Sequence, residues 1–128
     1  MELITDEDRK RLVDWQVRDL KGTPVRRASS ALKLLEEVAE LCYAAGAMTG
    51  EIDEVIADVQ NKSIERHEDD GIFKIADVIS ETGDVVACLT MFTHYCRINP
   101  ADTVSATLER IDGRQWHPDQ FGILRRPK

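Results

Sequence analysis

At 128 residues the chain has room for one domain with a real core but not for two. Its net charge of −7 argues against nucleic-acid grooves and anionic membrane surfaces, both of which need clustered Lys and Arg. With 42% hydrophobic and 32% charged residues and no low-complexity tract it reads as an ordinary soluble protein, and no apolar run approaches a bilayer span.

The opening residues Met1-Glu2-Leu3-Ile4-Thr5-Asp6 lack the pattern of a signal peptide. A first helix is expected from Thr5 or Asp6 to about Leu20, with Thr5 as N-cap and acids in its first turn. Lys21-Gly22-Thr23-Pro24 ends it. A second helix begins near Ser29 or Ser30 and reaches about Ala47. The third runs from Glu51 to about His67, with Ile52, Val55, Ile56 and Val59 on one side. A fourth covers roughly Ile72 to Arg97 and stops at Asn99-Pro100. A shorter fifth, Ala101 to Ile111, ends at Asp112-Gly113. From Arg114 the tail has no periodicity and is expected to be irregular. These elements make an all-α fold, a bundle of four to five helices in a single domain. Cys42, Cys88 and Cys96 lie in helical patterns without metal-ligand spacing, so they read as small buried hydrophobes in a reducing cytoplasm.

Two acidic pairs interrupt otherwise apolar helices. Positions three apart share a helix face and lie about 4.5 Å apart along the axis, which pairs Glu37 with Glu40 and Glu81 with Asp84. On the fourth helix the sector of Glu81 and Asp84, with Asp77 one turn earlier, continues into Cys88, Met91, Phe92 and Tyr95, so these carboxylates are expected to point inward. The second helix is less decisive: Glu36, Glu37 and Glu40 share a strip with Lys33, which suits a solvated face as well as a site. Unpaired buried carboxylates cost several kcal/mol each, roughly, and they repel one another unless a cation sits among them. The donors are all oxygen, which selects Mg2+ or Mn2+ over zinc. His67, His94 and His117 read as surface or structural, since they do not supply the Glu-x-x-His pairs of a di-iron bundle. The second helix is apolar around most of its circumference, more than one small bundle covers, so a homodimer or a homotetramer built from dimers is expected.

Glu36-Glu37-Val38-Ala39-Glu40 followed by Glu81-Thr82-Gly83-Asp84 resembles the E-E-x-x-E … E-x-x-D signature of the all-α nucleoside triphosphate pyrophosphohydrolases, the superfamily of MazG, the dimeric dUTPases and phosphoribosyl-ATP pyrophosphohydrolase. The likeness runs from about Leu12 to Trp116. It departs in a longer interval between Glu40 and Glu81, which leaves the subfamily open, and in a mid-helix glycine, Gly83, costing about 1 kcal/mol relative to Ala. The resemblance implies that Glu37, Glu40, Glu81 and Asp84 hold magnesium, with Glu36 or Glu40 as the base. It places Arg110 and Arg114 near the nucleotide. Arg26, Arg27 and Lys62 are further candidate phosphate contacts, and Trp116 and Trp15 could stack on a base, with a core role for Trp15 as the alternative. The reaction implied is cleavage of a (d)NTP between the α and β phosphates, giving a monophosphate and pyrophosphate. A non-catalytic helical module whose acidic stripes bind a partner, and the same fold acting on phosphoribosyl-ATP, stand beside it.

Overall fold

A computed structural model describes residues 3–126. Met1, Glu2, Pro127 and Lys128, the outermost parts of the leader and tail read above, lie outside the described residues. The fold is all-α: α1 (Asp6–Leu20), α2 (Arg27–Ala44), α3 (Thr49–Glu65), α4 (Ile75–Tyr95) and α5 (Pro100–Asp112), followed by a short tail with two two-residue strands, β1 (His117–Pro118) and β2 (Leu124–Arg125).

The helix starts follow from capping chemistry. Thr5 accepts from the Asp8 amide at 3.1 Å to open α1, and Asn99 accepts from Ala101 with Pro100 at the first helical position of α5. At α3 the start comes two residues earlier than expected, because Glu51 reaches back to the Met48 amide at 2.9 Å. At α4 it comes three residues later: Asp70 takes the Ile72 amide at 3.0 Å and grips Lys74 at 2.9 Å, a local bond that competes with the helix. The ends of α2, α3 and α4 come two to three residues early. Each is turned by a left-handed residue, Gly46, His67 and Arg97, and two of these are not glycine.

The core lies at the junction of α1, α5 and the tail. Leu108 is fully buried, and Ile123 and Leu124 nearly so. Beneath them Ser105 donates to the buried Asp8 at 2.7 Å, and Arg11 bridges to Asp112 at 2.9 Å. The tail is therefore not irregular throughout. β1 and β2 pair antiparallel, His117 opposite Arg125 and Pro118 opposite Leu124. Asp119 closes the loop by accepting from the Phe121 and Ile123 amides at 2.8 and 3.0 Å. Gly122 has φ +77°, and a Cβ there would run into the Pro24 carbonyl, so glycine lets the hairpin dock on the α1–α2 connection.

The central helices differ from expectation. The apolar stripe of α4 exists, but among the described residues no other element packs extensively on it, so Glu81, Asp84, Cys88, Met91 and Tyr95 are exposed rather than inward-facing. Cys96 is exposed too, and Cys42 is half-buried, against the expectation of buried thiols. Leu34, Leu35 and Val38 on α2 and Val55 and Val59 on α3 are likewise exposed. The chain presents 10192 Å² to solvent, where a folded monomer of this size presents about 6,900 Å². Among the described residues no helix is long and apolar enough to cross a membrane.

Candidate active-site cleft

An open cleft of about 1290 Å³ lies between α2 and the C-terminal part of the chain. From α2 come Lys33, Glu36, Glu37 and Glu40. From α5 and the segment after it come Thr107, Arg110, Arg114 and Trp116, and the hairpin adds Asp119, Leu124 and Arg125. Acids thus enter from one helix and arginines from the opposite end of the chain, so a ligand carrying both anionic oxygens and a bound cation meets partners for each.

Turn-by-turn spacing explains the acidic wall. Lys33 sits one turn before the glutamates and pairs with Glu37 at 3.1 Å and Glu36 at 3.4 Å. Glu36 also receives two hydrogen bonds from Nη1 of Arg125, at 2.8 and 3.1 Å. The Arg125 guanidinium holds the Glu36 carboxyl below its ordinary value, with Lys33 adding to the effect against partial desolvation. Glu40 is exposed and, among the described residues, has neither an ion pair nor a side-chain hydrogen bond. On the other wall Arg110 leans on Thr107 at 3.1 Å, and Arg114 projects exposed. Trp116 is fixed by its indole N–H on the Ile111 carbonyl at 3.1 Å and meets Trp15 edge to face, ring centres 5.4 Å apart. Trp15 donates in turn to Asp19 at 2.8 Å, so it serves packing and the cleft wall together.

Of the residues singled out in the sequence, the cleft therefore gathers Glu36, Glu37, Glu40, Arg110, Arg114, Trp15 and Trp116. It does not gather Glu81 and Asp84, exposed on α4, nor Lys62 on α3. Arg26 and Arg27 are turned to aromatic rings, Arg26 at 5.9 Å from the Phe121 ring centre and Arg27 at 4.4 Å from that of Phe73. Among the described residues no three His, Cys, Asp or Glu side chains converge as a metal-binding group within one chain. The donor chemistry of the two acidic pairs suits a hard divalent ion, but the chain by itself supplies them two at a time.

The chain matches no protein-family model, no curated protein and no solved structure. The residues that sequence reasoning missed are Arg125 and Asp119. Pro118-Asp119 with Gly122 is a turn signature that could have found the loop. Nothing local marks Arg125, whose partner stands 89 positions away.

The hairpin should be acid-labile. The Asp119 carboxyl also lies below its ordinary value, chiefly because the Ile123 amide donates to it. Both carboxyls thus titrate lower folded than unfolded. Their contribution is complete above the ordinary carboxylate range and is lost as pH falls through the lowered values. Tryptophan emission, reporting Trp15 and Trp116 alone, should change in that acidic window in wild type. In Glu36→Gln the change should be smaller; an unaltered titration would remove Glu36 from the account.

Proposed function

We propose that the protein is a nucleoside triphosphate pyrophosphohydrolase, converting a (d)NTP and water to a (d)NMP and pyrophosphate. One observation carries this reading: the cleft brings the Glu36-Glu37-x-x-Glu40 motif of α2 together with Arg110, Arg114 and Trp116 from 70 or more positions away. The resemblance of the two acidic motifs to the all-α pyrophosphohydrolases supports it as well.

In this reading Arg110 and Arg114 draw the phosphates by charge and by planar, charge-assisted hydrogen bonds. Trp116, braced by Trp15, offers apolar surface to the base. Glu40, exposed and unpaired among the described residues, is free to take the proton of an attacking water, with Glu36 as the other candidate. Glu37, Glu40, Glu81 and Asp84 would hold Mg2+ or Mn2+, which would supply neutralisation of phosphate charge and a bound water of lowered pKa.

Because the α2 and α4 pairs do not meet within one chain, the reading requires a homo-oligomer, a dimer or a tetramer built from dimers, in which α4 of one copy approaches α2 of another. The surface in excess of a folded monomer, about 3,300 Å² per chain or about 6,600 Å² for a pair, is at least as large as obligate partners bury between them. Lys62 would reach a phosphate only through such an assembly.

The test is a panel of canonical and modified (d)NTPs and phosphoribosyl-ATP assayed for pyrophosphate with Mg2+ or Mn2+ in ¹⁸O-water. Label is expected in the nucleoside monophosphate and not in pyrophosphate. Release of diphosphate and orthophosphate would mean a different reaction, and no turnover on any member would favour the non-catalytic module.

A further inference from the structure

The Arg125–Glu36 pair joins a rigid hairpin to the acidic wall, and its geometry is incomplete in an informative way. The base of the arginine is fixed: Leu124 and Ile123 are buried, Gly122 lies against Pro24, and Asp119 holds Nε at 3.4 Å. Both bonds to Glu36 come from Nη1 alone, while Nη2 makes no hydrogen bond among the described residues. The planar fork that suits a carboxylate or phosphate edge is thus only half used. The side chain is 46% exposed and Glu36 41%, so the pair is open to solvent, screened and weak. A polyphosphate carries more negative charge than a single carboxylate and fits the same planar edge, so it competes well for the guanidinium.

We propose that Arg125 is a polyphosphate-binding residue of the cleft whose guanidinium is occupied by Glu36 and passes from that carboxylate to the phosphate chain of an incoming ligand. The exchange does two things at once. The arginine fastens the polyphosphate beside Arg110 and Arg114, and Glu36 is left with Lys33 as its ion-pair partner among the described residues. For the nature of the polyphosphate the proposal rests on the pyrophosphohydrolase reading; for the exchange itself it rests on the geometry alone.

Binding of inorganic triphosphate, followed by calorimetry and by tryptophan emission, tests it. Arg125→Gln should weaken binding about ten-fold, equivalent to ~1.4 kcal/mol, with Arg125→Lys recovering part of the loss. Glu36→Gln should tighten binding by a few-fold, because the internal competitor is gone. In the Arg125→Gln background the same Glu36→Gln change should have little effect, whereas mere relief of charge repulsion would act in both backgrounds. If the pair is only a clamp, both single variants loosen the hairpin and shift binding in the same direction. That result, or the absence of triphosphate binding by wild type, would overturn the proposal. Opposite shifts in a protein that hydrolyses no nucleotide would uphold the exchange and discard the pyrophosphohydrolase reading.

Discussion

Glu40→Gln and Asp84→Asn should each reduce turnover by more than the ~100-fold that losing a group merely supporting a metal ligand costs. Neither should lower the stability of the metal-free protein. Both carboxylates are exposed, and neither has an ion pair among the described residues, so neutralising them removes no stabilising contact. Glu37 would be a poorer test, because Lys33 sits 3.1 Å from it and its removal changes two things. When copies associate, four carboxylates brought together repel, and deleting one charge should then leave the metal-free assembly equally stable or slightly more so. Wild type should gain thermal stability on adding Mg2+, and the variants should gain less. Thermal unfolding with and without Mg2+, beside a pyrophosphate assay, reads all of this. Variants that unfold without metal would make the acids structural, and fully active variants would place the site elsewhere.

Sedimentation at micromolar concentration should show a dimer or tetramer, and a single charge on α4 should break it. Val86 and Leu89 lie on the exposed apolar part of this helix, among Val78, Ile79, Val85 and Met91. Burying a carboxylate there without a partner costs several kcal/mol. About 4 kcal/mol already weakens association by roughly a thousand-fold. Leu89→Glu should therefore sediment as a single chain and lose activity with its assembly, while the α1–α5 core persists because α4 contributes little to it. A wild-type monomer under these conditions would remove the proposed encounter of the α2 and α4 acid pairs.

The helices were legible in the sequence because their starts are written in local chemistry, Thr5 at α1 and Asn99-Pro100 at α5. The late start of α4 was not, because Asp70 diverts the backbone before the apolar period can take hold. Helix ends were overrun where His67 and Arg97 accept a positive φ that sequence reading assigns to glycine. Periodicity marked Glu81 and Asp84 as lying on an apolar stripe. It carries no information on whether the stripe is covered by the same chain. The union of Glu36 with Arg110 and Arg114 depends on how the two ends of the chain meet, which no local window contains.

That meeting bears on how the protein comes to be folded. Leu108, Ile123 and Leu124 close on α1, and contacts such as Asp8 with Ser105 and Arg11 with Asp112 span about a hundred positions. Closing a loop of that length is entropically costly and is repaid only once the distant contacts exist. During synthesis α2, α3 and α4 therefore emerge with their apolar faces bare before any core is available. The α1–α5 core does not cover those faces when it closes, so they stay adhesive to holdase chaperones or to a neighbouring copy after that interval as well as during it.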